Sequence, residues 1–185
     1  LFFTAIYRGY FGRVPTYNEV AMFQNMEASD VYSADNVLLY RFDKENRLNI
    51  PYDSIPKHLV NALIATEDSR FFEHSGVDIK SLFRVLVKTI IMGDKSAGGG
   101  STITQQLARQ LFTGVRSRNK LEAVVQKIKE WVIAIRLERR YTKNEIIAMY
   151  LNIYDFNYNA DGIRSASSIY FSKKPDQITA KAPLV

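Results

Sequence analysis

Residues 120–140 read KLEAVVQKIKEWVIAIRLERR, and the apolar side chains in this stretch recur every three or four positions. This spacing places them on one face of an α-helix, so we predict a helix over about Lys120–Arg140. The positions that we expect to form its apolar face are Leu121, Val124, Val125, Ile128, Val132 and Ile135.

The segments around this helix also have helical patterns. Thr142-Lys143-Asn144-Glu145 has the spacing of a capping box and precedes another apolar face. Upstream, Ser101-Thr102 can cap a helix, and a further helix is predicted over residues 78–92, before a glycine-rich loop at 93–100. Ser54-Ile55-Pro56, a Ser cap followed by Pro in the first turn, predicts where the first of these helices begins. The predicted fold class is therefore mainly α.

The first fifty residues differ from the rest. Residues 37–42 alternate like a β-strand and follow the turn-forming pair Ala34-Asp35, so we expect a small hairpin. We therefore divide the chain into a linker with a small β element (1–50) and a main domain (51–185). The apolar residues 1–7 are too few to cross a bilayer, which needs about 20. We interpret them as the end of a removed anchor, although a buried first helix or strand fits equally well.

Composition limits the classes of function. The 185 residues carry a formal charge of +6 and contain no cysteine and only two histidines, which leaves neither a thiol nucleophile nor a thiolate or histidine metal cluster. Residues 109–143 hold ten basic side chains and three acidic ones, so an anionic partner is expected. Nucleic acid, anionic lipid and phosphorylated substrates all remain candidates on this evidence.

Glu67-Asp68 is the first candidate catalytic pair. The pair lies at the predicted end of the helix that starts near Pro56. Aromatic residues, among them Phe71, follow the pair, and so does His74. Desolvation disfavours the charged form of a carboxyl group, so Glu67 beside aromatic rings would be a good proton acceptor. A solvated acidic pair and a structural histidine are the ordinary alternatives.

Two further stretches are candidate binding sites. Residues 98–106 form a glycine-rich loop that enters a helix, where backbone N–H groups can bind phosphate, and Gln106 and Arg109 extend the reach to sugars and phosphates. An ordinary flexible connection is the alternative. Glu130 lies one turn from Lys127 in the basic helix, where a surface ion pair is the alternative to a catalytic role.

Read in order, these segments resemble the peptidoglycan glycosyltransferases of family 51. The matching motifs are EDSRFFEHSG at 67–76, GGSTITQQ at 99–106, QKIKE at 126–130, a segment ending in YLN at 143–152, and one ending in YF at 162–171. Residues 1–50 resemble the juxtamembrane linker of that family. The chain departs from the family pattern at several positions: Gln126 replaces Arg, Arg109 replaces a common Lys, and Asn157, Asn159 and Ser172 stand where Gly is usual.

The resemblance implies a lysozyme-like helical fold with a smaller, membrane-proximal jaw lobe. It implies an enzyme at the extracytoplasmic face of the bacterial cytoplasmic membrane, anchored by a transmembrane helix outside this chain, that polymerises lipid II on undecaprenyl pyrophosphate. Glu67 would be the general base and Glu130 the second catalytic carboxylate, which holds a magnesium or manganese ion or orients the substrate. No organic cofactor is expected. The expected substrate-binding residues are Asp68, Phe71, His74, Ser101, Thr102, Gln105, Gln106, Arg109, Lys127 and Asn152.

Other functions stay open at this point. A lytic enzyme that cleaves glycans would also use a glutamate in a helical fold, but it needs no seat for pyrophosphate. A nucleic-acid-binding module, which we do not expect, would use the basic stretch, and a non-catalytic scaffold would only bind the membrane. Residues 82–92 are a candidate for dipping into the membrane surface, although core packing is the favoured interpretation of this segment.

Overall fold

The computed structural model describes residues 9, 12–22, 29–42, 49–91, 100–158 and 160–179. Short 3₁₀ turns occupy Tyr52–Ser54, Phe71–Glu73 and Pro175–Gln177. The elements are α1 (Tyr17–Met22), β1 (Ser29–Tyr32), β2 (Leu38–Phe42), α2 (Lys57–Glu67), α3 (Ile79–Ile91), α4 (Ile103–Ala108), α5 (Lys120–Arg140), α6 (Lys143–Ile153) and α7 (Gly162–Phe171). The predicted mainly helical fold is confirmed, and the arrangement is consistent with a lysozyme-like fold.

Helix α5 is the centre of the core, with the predicted bounds. The side chain of Asn119 caps it by accepting a hydrogen bond from the N–H of Leu121. Burial begins at Ile128 and continues to Leu137, whereas Leu121 and Val124 are exposed. The prediction that the apolar face is buried along the whole helix is therefore wrong for its first two turns, which lie outside the core that α4 and α6 form with α5.

The helix ends agree with the predicted caps at two of three positions. Thr142 and Glu145 form the capping box of α6, and the hydroxyl of Thr102 caps α4. The predicted cap at Ser54 is wrong, because this residue ends a 3₁₀ turn and Pro56 is the residue before α2. Pro56 has an extended backbone conformation, as a residue in the N-cap position should.

The N-terminal part contains the predicted hairpin. β1 and β2 pair antiparallel, with Ser29 opposite Phe42. The residues before the hairpin contribute to the main core, since Val14 and Val20 are buried in the same cluster as the helices, and the Tyr141 hydroxyl donates to the Val20 carbonyl over 2.9 Å. The division of the chain at residue 50 stays a prediction.

Several departures from the family pattern fall on unusual backbone. Asn157 and Ser172 have φ angles of 66° and 51°, in the left-handed region where glycine is the common residue. Asn tolerates this conformation best among residues with a side chain, and Ser172 ends α7 as its C-cap. Asn159 lies outside the described residues. Glycine is retained at Gly162, where φ is 75° and an added Cβ would lie 2.4 Å from the carbonyl oxygen of Asn152.

None of the helices within the described ranges has the length and apolarity to span a bilayer. Helix α3 nevertheless exposes large apolar side chains one turn apart, Ile79 at 75% and Phe83 at 66%. Core packing, the favoured interpretation of residues 82–92, is therefore wrong for Phe83. The calls on residues 1–7 and most of the glycine-rich loop (93–99) lie outside the described residues.

Candidate active site

Adjacent acids at the end of α2 have different surroundings. The helix ends at Glu67, and Asp68 takes an extended backbone with a φ of −159°. The buried Asp68 carboxylate contacts His74 Nε2 at 3.0 Å and accepts the N–H of Ile103 at 3.1 Å. It thereby joins the end of α2, the following turn and the first residue of α4. Because a carboxylate only accepts, the proton of His74 is assigned to Nε2.

Glu67 faces solvent and has a fixed neighbour. Gln106 Nε2 donates to its Oε2 over 2.8 Å, and the Tyr150 hydroxyl donates to Gln106 Oε1 over 3.1 Å, which sets the orientation of the amide. Burial raises the pKa of Tyr150, and Tyr154 and Glu67 raise it further, so the hydroxyl keeps its proton and stays a donor. The predicted desolvation of Glu67 by aromatic rings is not found, since Phe71 is fully buried in the core while Glu67 is exposed.

The start of α4 is held from within the protein. Thr102 Oγ1 donates to the carbonyl of Gly76 over 2.7 Å, and the buried Gln105 donates to the same oxygen over 3.2 Å. The N–H groups of Ile103 and Gln105 bind Asp68 and Thr102. The prediction that these amides bind phosphate is therefore wrong for both of them, because their hydrogen bonds are already made within the protein.

A cluster of charges around the buried Glu130 carboxylate lies beside this helix start. Lys127 Nζ donates to Ser101 Oγ over 2.7 Å and to Glu130 Oε2 over 3.2 Å, and Arg116 Nη2 reaches Glu130 at 3.4 Å. The Glu130 side chain is only 3% exposed, so the interpretation of a surface ion pair is wrong. Burial lowers the pKa of Lys127 against the opposing effect of Glu130, and repulsion from Arg116 and Arg109 lowers it further.

Glu67 and the charge cluster are connected through one groove. A cleft of about 220 Å³ is lined by both Glu67 and Ser101, and Ser101 is the residue that binds Lys127. On the other side, Gln106 contacts Glu67, and Arg109 follows it by one turn. The positive charge of Arg109 acts to lower the pKa values of both Lys127 and Tyr150. The candidate proton acceptor and Ser101, the contact of Lys127, therefore line the same groove.

Comparison with known proteins assigns the chain that carries these motifs to a family. The family model described as Transglycosylase matches residues 35–184. The chain belongs to this family. It is 43% identical to penicillin-binding protein 1A of Escherichia coli (strain K12) over 149 residues, 80% of this chain and 17% of that protein. It is 44% identical to penicillin-binding protein 1F of Bacillus subtilis (strain 168) over 135 residues, 73% of this chain and 18% of that protein.

A third relative extends the match toward the N-terminus. Penicillin-binding protein 1A of Vibrio cholerae is 35% identical over 179 residues, which cover 95% of this chain and 21% of that protein. The Transglycosylase-family chain thus spans about a fifth of the length of the relatives that it matches.

The residues predicted from the sequence of this Transglycosylase-family member fall into two groups. Among these residues Glu67, Asp68, Ser101 and Thr102 line the groove, Gln106 and Lys127 contact Glu67 and Ser101, and Arg109 lies one turn after Gln106. Asp68 and Thr102 also belong to the second group. Side chains that are largely buried and hold the surrounding backbone are Asp68, Phe71, His74, Thr102, Gln105 and Asn152. The Asn152 amide, for example, bonds both the N–H and the C=O of Ile50, at 3.0 and 2.9 Å. The roles of both groups in substrate binding stay predictions.

Sequence reasoning missed two connections in the site. Arg116 belongs to none of the matching motifs, and no local pattern singles it out from the other basic residues. Lys143 was noted only for its place in a motif, yet it donates to Glu138 and to the His74 carbonyl and lies 4.2 Å from the Phe71 ring centre. A lysine at a motif position directly after the cap residue Thr142 is the sequence signal that could have indicated these contacts.

A salt bridge closes the turn that follows Glu67 and Asp68. Arg70 Nη2 lies 2.6 Å from the nearer oxygen of the buried Asp78 carboxylate. Burial acts to raise the pKa of Asp78, but hydrogen bonds from the Ser81 backbone and from Arg70 outweigh it and lower the pKa to about 2.

The expected metal site near Glu130 finds little support in the donor set. Within the ranges that the structure describes, no three acidic or histidine side chains are grouped so that they could hold a metal ion. Glu130 is already paired with Lys127 and Arg116, which compensate its charge. These residues do not fit a metal ion held by the protein alone, and the geometry favours an orienting role for Glu130.

Proposed function

We propose that this chain is a peptidoglycan glycosyltransferase that joins lipid II to a glycan strand carried on undecaprenyl pyrophosphate. Membership of the Transglycosylase family supports the reaction class. The observation that carries the proposal is the groove that both Glu67 and Ser101 line, because Ser101 also binds Lys127 of the charge cluster. Transfer from a diphosphate carrier needs both a proton acceptor and positive charge for the leaving group.

In the proposed reaction Glu67 is the general base. The 4-hydroxyl oxygen of the acceptor sugar attacks the anomeric carbon of the donor, and its proton passes to the Glu67 carboxylate. Because Gln106 occupies Oε2, Oε1 is the oxygen left for this proton. The bond from the anomeric carbon to the phosphate oxygen breaks on the opposite face, so the product has the inverted β-1,4 configuration.

The leaving diphosphate takes the bonding electrons and needs compensation. Lys127 and Arg109 supply fixed positive charge in a partly buried site, where electrostatic stabilisation is stronger than in water. Glu130 orients Lys127 through the 3.2 Å contact and keeps it from being an uncompensated buried charge. A lytic enzyme has no use for such a cluster, because hydrolysis of a glycosidic bond releases no diphosphate.

The surface of α3 supports contact with the membrane that holds the substrate. Exposed Ile79 and Phe83 lie on one face, and Arg84 and Lys80 lie close by in sequence. Apolar and basic side chains together suit an anionic bilayer surface. This supports contact with a bilayer surface, and the extracytoplasmic face is part of the proposal. A bilayer-resident photoprobe should label this helix; a helix that stays unlabelled while the enzyme is active would contradict the contact.

The decisive experiment is incubation of the full-length protein with labelled lipid II and separation of the products on gels. We expect glycan polymer from the wild type and none from Glu67→Gln, which keeps the shape but cannot accept a proton. Glu73→Gln is the matched control, since Glu73 is an exposed acid six residues away, outside the groove. Substantial polymer from Glu67→Gln would exclude it as the base.

Further arms of that experiment separate the other functions. Loss of polymer with a chelator, restored by magnesium or manganese, would support a metal ion supplied by the substrate complex. Shortening of preformed glycan strands would favour the lytic alternative. Tight, salt-dependent binding to nonspecific DNA without turnover of lipid II would favour nucleic-acid binding.

A further inference from the structure

Gln126 stands where the family pattern has arginine, and its side chain holds a neighbouring loop. Its Oε1 accepts the N–H of Ser117 over 2.8 Å. Its Nε2 donates to the carbonyls of Thr113 and Val115 over 3.2 and 3.1 Å. One amide thus binds three backbone groups within residues 113–117, which we call the 113–117 loop.

The 113–117 loop is also fixed at its ends. It leaves the π-helical turn of Arg109–Thr113 at Gly114, whose φ is 64°. At the other end the Ser117 hydroxyl donates to Glu122 over 2.6 Å and accepts the N–H of Asn119 over 3.1 Å. Contacts at the two ends leave the middle of the loop dependent on Gln126.

Arg116 is the side chain that this loop presents. It reaches both oxygens of Glu130 at 3.4 Å, while 46% of its side chain is exposed. The guanidinium therefore touches the buried acid with one edge and keeps free donors toward solvent. With Arg116 in place, two cations, Arg116 and Lys127, contact the Glu130 carboxylate.

We propose that Gln126 is a positioning residue that holds Arg116 beside Glu130 through the 113–117 loop. Arg116 then supplies, from a loop, the positive charge that the family pattern carries on the helix at position 126. This inference rests on the proposed function, because the charge matters only if an anionic group leaves in the groove.

The chemistry of the amide explains why glutamine suits this position. Glutamine offers both a donor and an acceptor, and the loop requires both, since Ser117 gives an N–H and Thr113 and Val115 give carbonyls. An arginine has only donors and would leave the Ser117 N–H unpaired. Glutamine at position 126 and the position of Arg116 in the loop therefore depend on each other.

A double-mutant cycle in the full-length protein tests this. The variants are Gln126→Ala, Arg116→Ala and the pair, measured for kcat and KM with labelled lipid II and for inhibition by inorganic pyrophosphate. Each single variant should lower kcat/KM about tenfold, as for loss of one charge-assisted contact, and weaken pyrophosphate inhibition. The pair should lose no more than Arg116→Ala alone. Val124→Ala, an exposed position on the same helix, is the matched control and should match the wild type.

Two measurements guard against a general loss of structure. Hydrogen exchange of the Ser117 amide should accelerate in Gln126→Ala while that of core amides in α5 stays unchanged. Gln126→Glu keeps the acceptor for Ser117 and the side-chain volume but places a carboxylate against the carbonyls of Thr113 and Val115, so it should release the loop and lower kcat/KM about as much as Gln126→Ala. It provides the comparison if Gln126→Ala does not fold.

The outcomes separate the two proposals. If the wild type makes no polymer, the proposed function fails. If the wild type is active but the effects of Gln126→Ala and Arg116→Ala multiply, Gln126 does not act through Arg116 and the inference is wrong. Unchanged pyrophosphate inhibition in both single variants would overturn it as well.

Discussion

Replacement of Asp68 by alanine tests whether this residue builds the site rather than binds substrate. The side chain is buried and is the acceptor for two partners in separate segments, His74 and Ile103. Hydrogen bonds to a charged group contribute about 1.5–3 kcal/mol each, and alanine would also leave both donors unpaired. We therefore expect Asp68→Ala to lower the free energy of unfolding by about 3–4 kcal/mol, a large share of typical domain stability.

Urea denaturation at neutral pH, followed by circular dichroism, measures this change. Asp68→Asn keeps one acceptor oxygen and should lose roughly half as much. Asp53→Ala, an exposed aspartate in the turn before α2, is the control and should lie within about 0.5 kcal/mol of the wild type. A loss below about 1 kcal/mol for Asp68→Ala would refute the reasoning, because two buried hydrogen bonds to a carboxylate cannot be that weak if both form.

Three further predictions follow from described contacts. Hydrogen bonds hold the pKa of Asp78 at about 2 against an ordinary 3.8. The ionised carboxylate therefore contributes about 2 kcal/mol to the free energy of unfolding above pH 4, and this contribution is lost as the pH falls toward 2. Asp78→Asn should remove this pH-dependent contribution, as measured by urea titrations at pH 7 and 2.5. Gly162→Ala adds a clash with backbone to a strained φ and should cost more than about 3 kcal/mol in thermal unfolding, whereas Gly114→Ala, at similar φ in open space, should cost only about 1 kcal/mol. Tyr150→Phe frees the Gln106 amide and should lower kcat for polymerisation about fivefold with KM nearly unchanged, and an unchanged kcat would contradict this orienting role.

The helices were predictable because their signals are local. The period of apolar residues in α5 and the Thr-x-x-Glu box before α6 depend on residues three or four positions apart, and both are found as predicted. Ser54 failed as a cap because Pro56, two residues later, already has the geometry that a cap requires. Leu121 and Val124 failed because the pattern gives the face of a helix but not how far its neighbours extend along it.

The sequence motifs indicate which residues are candidates for the site but not how these residues are arranged. The motifs named Glu67 and Asp68 together, and no property of the sequence tells which of two neighbouring acids is exposed, since this depends on the extended backbone at Asp68. No role could be assigned to Arg116 from the sequence, because its contact with Glu130 depends on a loop that Gln126 of α5 holds in place. Contacts between segments that are distant in sequence depend on tertiary packing, and the periodicity of apolar residues gives no information about this packing.

The burial of Val20 has a practical consequence for anyone who prepares this domain in recombinant form. The matched family region starts at residue 35, and a protein cut there would seem complete from alignment. Such a truncation would remove Val20, which would leave a cavity in the apolar core beside Tyr141 and take away the carbonyl to which the Tyr141 hydroxyl donates. Expression boundaries should therefore begin before residue 12, so that a poorly soluble product is not mistaken for an intrinsically unstable enzyme.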